Sequence, residues 1–506
     1  MRRHSPQVLA TALVVALCAG ALLFQYARIR SAPRVTKLRT ASALPLTDFV
    51  SAARQAAKSH FRDPKETLVL VAGNEAGDLD SAASAIALCY IIEHELDHFV
   101  RYGLPRARYV PVIQTPRRAL SHRRENLAVL EAVGLDIDEI LCIDEVRAMA
   151  SEEQLAPSHN TYIGLVDHAA LAPSWGHAHV LIVIDHHADV GAHKDAPLRL
   201  IYPPTSHPVG SASSIIAKLY AEALAARQGV PDRAVADLLL SAGVIDTRNY
   251  LLSPAGKATH IDDEARRFLQ PYSSFSSKTP AKNMLARGKA VFAAVHPPDL
   301  VPLETIPDDP DVALMDDWSA FMQSVKRDVG HLDAHQLLAR DYKEGVVKAH
   351  KFGIASVPIG IYSVVTGSYR GVRSGSLDED WDAWWRVATN WMRERHTDTL
   401  LVMLSYRKEG KKKQRRELII VSRDCDHFAH LSHGLETAGA PGSDSDHPAL
   451  AAPLALEEWH FEGTTVHGLD GSKIRAVPGF CAAVWRQKNT KANRKVVQPV
   501  LEKLLE

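Results

Sequence analysis

The chain is 506 residues long, 46% hydrophobic and 23% charged, which provides apolar material for two or more domains and excludes a disordered scaffold. Lys plus Arg and Asp plus Glu both number 59, so no global field selects a polyanion; no nucleic-acid partner is expected, and any recognition of an anion must be local. The five cysteines, Cys18, Cys89, Cys142, Cys425 and Cys481, are scattered without CxxC spacing, which argues against a zinc site or disulfide framework and for a reducing compartment.

The first 40 residues read as a leader. From Val8 to Tyr26 only Thr11 and Gln25 are polar, about the length of apolar chain that spans a bilayer. Arg2 and Arg3 precede this run, and Arg28, Arg30, Arg34, Lys37 and Arg39 follow it. The heavier downstream charge places the globular part on the cytosolic or matrix side of a membrane anchor. A cleaved signal peptide ending near Ala19-Gly20-Ala21, or a mitochondrial presequence, is the alternative, and would leave a soluble cytoplasmic or mitochondrial protein. The first acidic residue is Asp48, as such a presequence requires.

Beyond about residue 60, apolar β-type runs alternate with helical patterns, which predicts βαβ units and a mostly parallel sheet. The candidate strands are Thr67 to Ala72, Tyr109 to Ile113, Glu139 to Ile143, Thr161 to Val166 and Val180 to Ile184. Several apolar runs end in charge: "GNEAGDLDS" follows the first strand, Asp167 closes "YIGLVDHAAL", Asp185, His186 and His187 close "HVLIVIDHHADVG", and Asp246 follows "LLLSAGVI". In an open α/β sheet, residues just past the carboxyl ends of the strands share one crevice, so Asp78, Asp80, Asp167, His186, His187 and Asp246 are expected to meet. Each has a plainer explanation, and Asp80 is a candidate N-cap for the helix "SAASAIALCY". Carboxylates with one or two imidazoles suit Mn²⁺ or Mg²⁺ better than a thiolate-seeking metal, so the pattern points to a two-metal site.

"GNEAGDLDS", "LVDHA", "IDHHAD" and "SAGVIDT", in that order, resemble the four motifs of the DHH phosphoesterase family. The Asn-Glu opening most resembles the fungal exopolyphosphatase and prune-like group. "LLARDYKEG" and "NRKVVQPVLEKLL" resemble the DHH-associated second domain of the same enzymes. The implied fold is α/β: a mostly parallel-sheet DHH domain over 60–275, a connection over 276–311 with a short helix inside, and a smaller α+β DHH-associated domain over 312–506. The resemblance assigns Asn74, Asp78 and Asp167 to one divalent cation and Asp80, Asp167, His186 and Asp246 to the other. It makes Asp167, His187 and Asp185 catalytic, with Asp185 orienting an imidazole, and His187, Lys343, Arg494 and Lys495 substrate-binding. Asn74 stands where the family's pyrophosphatases have histidine, so on this reading a Mn²⁺ preference relaxes toward Mg²⁺. Asn493 replaces the usual serine of the terminal basic motif.

The activity implied is exopolyphosphatase, releasing terminal phosphate from inorganic polyphosphate, with two Mn²⁺ or Mg²⁺ ions as cofactors. Pyrophosphate hydrolysis, nucleotide phosphodiesterase activity and a prune-like binding role with low turnover are the alternatives. "HPVGSASS", His207 to Ser214, reads either as a helix start or as a phosphate contact, and 438–454 as a surface insertion. "RKEGKKKQRRE", between "TLLVMLSY" and "LIIVSR", reads as a β-hairpin with a basic tip, either a solvated turn or a landing strip for a long polyanion.

Overall fold

The structure, a computed structural model, describes residues 44–172, 175–292, 309–371, 376–407, 413–438, 454–459, 474–477 and 479–506. Helix α1 (Leu46–His60) lays Leu46, Phe49, Val50, Ala53 and Ala57 on the first core, so this core begins upstream of residue 60. There follow β1 (Leu68–Ala72), α2 (Leu79–His94), β2 (Arg108–Ile113), α3 (Arg124–Ala132), β3 (Leu141–Cys142), β4 (Thr161–Val166), β5 (Val180–Asp185), β6 (Leu198–Ile201), α4 (Ala212–Ala225) and α5 (Arg233–Thr247).

The six strands form one sheet in the order β3-β2-β1-β4-β5-β6, and every pair is parallel. Buried on both faces, β1 reads as the uninterrupted run LVLVA, as parallel strands do. The chain winds outward from β1 to β2 and β3, then returns to β4 on the other side. The strand order therefore reverses between β1 and β4, which is where such sheets open a ligand crevice. Helix α2 packs close to the sheet because its residues are small: an added Cβ on Gly73 would lie 2.4 Å from Ser81 Cβ.

Helices α6 (Lys278–Ala290) and α7 (Asp316–Arg327) still belong to this first core, through Met284, Trp318, Phe321, Met322 and Val325. The helix inside the expected connection thus packs as part of the first half, while residues 293–308 lie outside the described residues. After α8 (Ala334–Arg340) come β7 (Tyr342–Val347), β8 (His350–Val357), α9 (Leu377–Arg395), β9 (Thr399–Arg407), β10 (Gln414–Ser422), α10 (Cys425–Thr437), β11 (Leu456–Glu458), β12 (Ile474–Val477), β13 (Phe480–Gln487) and α11 (Arg494–Leu505). This second sheet runs β11-β13-β10-β9-β8-β7 with β12 on β13, antiparallel except for β8 with β9. Strand alternation sends Leu400, Val402 and Leu404 toward the tryptophans of α9, and Leu401 and Met403 toward α10 and α11.

Several expectations need correction. The segment "LLLSAGVIDT" is helical, inside α5, so Asp246 ends a helix and not a strand. Only Leu141 and Cys142 of the third expected strand pair with a neighbour; Ile137–Glu139 is a 3₁₀ turn and Ile143 begins a helix. Strand β6, with its partly exposed residues, was not anticipated. Cys425 and Cys481 form a disulfide, against the unpaired reading of the cysteines, whereas Cys89 and Cys142 are free and buried. The membrane-anchored placement is also corrected: among the described residues no helix is long and apolar enough to cross a membrane, and Val8 to Tyr26 lies outside them. The basic hairpin is formed by β9 and β10, but 408–412 at its tip lies outside the described residues, as do 439–453.

Candidate metal and phosphate site

The loop leaving β1 and the residues leaving β4 meet at the reversal of the sheet. Asp78 is the N-cap of α2, its carboxylate accepting from Ser81 N–H at 3.1 Å. Asp80 is therefore not the cap; it sits in the first turn of α2 and reaches across to the start of α4. There it accepts hydrogen bonds from Ser211 Oγ (2.7 Å), Ala212 N–H (2.7 Å) and Ser213 N–H (2.9 Å). "HPVGSASS" thus starts a helix, and the positive end of that helix meets a buried carboxylate.

Asp167 is 2% exposed and has φ 62°, in the left-handed region that Asp tolerates better than most residues. Four contacts hold it there. Its N–H donates to Ile184 O at 2.8 Å, Asn74 Nδ2 and Ser81 Oγ each donate to its Oδ2 at 2.7 Å, and its Oδ1 lies 3.2 Å from His186 Nε2. The Asn74 amide oxygen accepts from Ala76 N–H at 2.9 Å. These partners fix the orientation of the amide, because a carboxylate can only accept and an N–H can only donate. Asn74 accordingly enters the site as a donor to Asp167, not as the open oxygen ligand expected of it.

His186 Nδ1 lies 2.9 Å from Val209 O, which can only accept, so Nδ1 carries the proton and Nε2 faces Asp167 and Asp80. This is the arrangement by which a ligating imidazole is oriented from behind. Asp185 accepts on one oxygen from His186 N–H, His187 N–H and His187 Nδ1, at 2.8, 3.2 and 2.8 Å, so it is the His187 ring that it orients. The potential ligand atoms of Asp80, His186 and Asp246 lie within 4.8 Å of one another, as do those of Asp167, His186 and His187. Asp78 is in neither group; it acts on Asp167 and Asp246 through space.

The electrostatics of this cluster call for a cation. Burial, then Asp167 and Asp246, push the Asp78 and Asp80 carboxyls up. Burial also opposes ionisation of Asp167, but the hydrogen bond from His186 and the charges of His187, His186 and Lys343 outweigh it, and the group falls below the usual carboxylate range. Burial lowers His186, yet Asp167, Asp80 and the Val209 carbonyl carry it up to about 10. Oxygen and imidazole donors that hold a buried positive charge this strongly fit a hard divalent ion.

The second half of the chain brings basic side chains to the same place. Arg494 and Lys495 stand in the first turn of α11, which Asn493 caps by accepting from Lys495 N–H at 2.9 Å. The Arg494 guanidinium donates to Asp341 Oδ1 at 3.0 Å. Lys495 is open to water but crowded by protein, which lowers it together with Lys257, while Asp167, Asp246 and Asp185 raise it. Lys343, on β7, acts on Asp167 and Asp341. A cleft of about 800 Å³ opens beside Glu75, with Arg118, Arg147 and Arg395 but also Asp333 and Glu394 in its walls, and with none of the cluster's carboxylates or imidazoles among its lining residues.

Sequence reasoning missed Ser81 and Arg123, and left Ser211 unnamed within "HPVGSASS". Ser81 falls three residues after Asp78, inside a recognisable N-terminal helix signature, and could have been found. Arg123 sits in "SHRRENL" with nothing to separate it from a surface charge, although it is buried and acts on Asp78. Arg416, read as part of the hairpin's basic tip, donates to Thr490 O at 2.8 Å.

Comparison with known proteins matches residues 68–243 to the N-terminal domain of the DHH family and residues 321–504 to the DHHA2 domain. Exopolyphosphatase PRUNE1 of Rattus norvegicus is 29% identical over 206 residues, which are 39% of this chain and 39% of that protein. A Schizosaccharomyces pombe protein whose name carries a provisional exopolyphosphatase assignment is 30% identical over 135 residues, 26% of this chain and 32% of its own. The matched segments thus span well under half of either relative. Among solved structures, a Methanococcus jannaschii protein provisionally described as a family II inorganic pyrophosphatase aligns over 72% of this chain and 90% of its own. Its TM-score of 0.43 and identity of 20% are too low to bear on chemistry.

Proposed function

The chain belongs to the DHH family and carries a DHHA2 domain, and from that premise we propose that it is a divalent-cation-dependent exopolyphosphatase that removes terminal phosphate from inorganic polyphosphate. The observation that carries this reading is the gathering of Asp80, Asp167, His186 and Asp246 at the reversal of the sheet, with His186 Nε2 turned inward by the Val209 carbonyl. These four residues would hold one ion. Asp78 and Asp167 would hold a second, with Asn74 bracing Asp167. Such a pair supplies a hydroxide at neutral pH and neutralises charge on the phosphate oxygens.

The protein's own groups do the rest. Ser81 and Asn74 fix the Asp167 carboxylate, and the start of α4 fixes Asp80, so neither has to reorganise as charge develops. Asp185 holds the proton of His187 on Nδ1 and leaves Nε2 for the substrate. Lys343, Arg494 and Lys495 supply positive charge to the scissile phosphate and its neighbour, Arg494 as a planar fork and the lysines as point charges. The cleft beside Glu75 has room for the chain beyond the scissile anhydride. The names of the rat and fission yeast relatives support polyphosphate as the substrate.

The test is phosphate release from polyphosphates of several lengths, pyrophosphate and cyclic nucleotides, with Mg²⁺ or Mn²⁺. The reading expects release from polyphosphate to exceed the others. Release from pyrophosphate alone, or from none of them, would overturn it.

A further inference from the structure

We infer that Arg123 is a positioning residue that fixes the phosphate-facing Arg494 relative to the carboxylate site by way of Asp341. The inference rests on the role given to Arg494 above. Arg123 is 5% exposed, and each part of its guanidinium meets a different element. Nε donates to Ala76 O at 2.6 Å, in the loop that carries Asp78. Nη1 reaches Glu125 Oε1 at 3.4 Å, and Nη2 lies 3.8 Å from Asp341 Oδ1. The same Asp341 oxygen accepts from Arg494 Nη1 at 3.0 Å. One carboxylate oxygen therefore joins an arginine of the first half to an arginine of the second.

Arg340 completes the network from the other side. It donates to Glu125 Oε1 at 2.8 Å, to His122 O at 2.8 Å and to Lys326 O at 2.9 Å. Burying Arg123, Arg340 and Glu125 together is costly, and two apolar side chains of similar volume would hold the halves together as well or better. What ion pairs add is direction. A long arginine side chain loses its rotamer freedom when it grips a phosphate, and holding it in place beforehand removes that cost from binding. Asp341 restrains Arg494, and Arg123, itself tied to Ala76, restrains Asp341. The distance from Arg494 to the carboxylates is thereby set before substrate arrives. Asp341 lies below the usual carboxylate range, burial being outweighed by Arg494, Arg123 and Lys343, so it stays charged at neutral pH.

The test is a double-mutant cycle on the full chain, read by calorimetric binding of imidodiphosphate, whose P–N–P bridge resists hydrolysis, with saturating Mg²⁺. Arg494→Ala is expected to weaken binding about 30-fold and Arg123→Met about 10-fold, with the double variant no weaker than Arg494→Ala alone. Asp341→Asn should match Arg123→Met, and it takes that place in the cycle if Arg123→Met does not fold. Losses that multiply to about 300-fold, or no loss in Arg123→Met and Asp341→Asn, overturn the inference. Turnover of polyphosphate is measured separately. A wild-type chain that binds with the expected cycle and hydrolyses nothing overturns the hydrolase reading alone; one that hydrolyses with a multiplicative cycle overturns only the role of Arg123.

Discussion

Replacing Asp167 by Asn separates the chemistry of the site from its folding. The Asn oxygen can keep both hydrogen bonds that Oδ2 now accepts, from Asn74 Nδ2 and Ser81 Oγ at 2.7 Å. Its amide N–H then faces His186 Nε2, now 3.2 Å from Oδ1, and can donate there once the imidazole is neutral with its proton on Nδ1. The φ of 62° suits Asn as well as Asp. Loss of the charged pair with His186 costs about 1.5–3 kcal/mol. Relief of the repulsion that Asp167 adds, after burial, to Asp78 and Asp80 acts in the opposite direction. Net stability should therefore fall by less than about 3 kcal/mol, while affinity for Mn²⁺ falls at least ~100-fold and phosphate release about 1,000-fold. Urea denaturation in EDTA and calorimetric titration with Mn²⁺ measure the two halves separately. Destabilisation beyond about 3 kcal/mol, or unchanged Mn²⁺ affinity in a folded variant, would refute the reasoning.

Three further perturbations probe the frame around the site. Gly73→Ala pushes a Cβ to 2.4 Å from Ser81 Cβ and should cost about 2–3 kcal/mol in urea denaturation; a loss below about 0.5 kcal/mol would mean β1 and α2 are not in such close contact. Burial opposes ionisation of Glu145, but hydrogen bonds from Arg54, Arg117 and Cys142 N–H carry it from 4.5 down to about 2. Its folded value is depressed, so its contribution is present above the unfolded value and lost as pH falls toward 2. Glu145→Gln should remove about 1–2 kcal/mol at neutral pH, after allowing for water screening, and flatten that acid limb; an unchanged limb would contradict the pairing. The cysteines of the disulfide are 56 residues apart, so reducing it should lower stability by at most about 4 kcal/mol, read as a fall in Tm with a thiol reductant. An identical Tm in both states would show that the bridge does not constrain the unfolded chain.

Strands β1, β2, β4 and β5 were legible because parallel strands buried on both faces read as uninterrupted apolar runs, and charge closes each of the last two. The same signal misled at "LLLSAGVIDT", since a short apolar run cannot tell a buried strand from a buried helix by period alone. Asp246 still arrives beside Asp80 and His186, because the end of α5 points into the crevice that strand ends were expected to line. Which of Asp78 and Asp80 caps α2 could not be read from two aspartates two residues apart in a turn; the difference is whether the side chain turns back to Ser81 or across to Ser211. The Cys425–Cys481 bridge depends on α10 and β13 being neighbours, a long-range fact that cysteine spacing does not hold. The pairing of Arg123 with Asp341 was invisible for the same reason: it joins residues from opposite halves of the chain.

The central claim is that the carboxylate and imidazole cluster at the ends of β1 and β4 is a divalent-cation site on which phosphate release depends. Its most direct test is phosphate release from polyphosphate by EDTA-stripped protein as Mn²⁺ or Mg²⁺ is added back, for the wild type and for a folded His186→Ala variant. The account predicts no release from stripped protein, saturable recovery with added cation, and no recovery in His186→Ala. Release that is equal with and without cation, or full recovery in the variant, would contradict it.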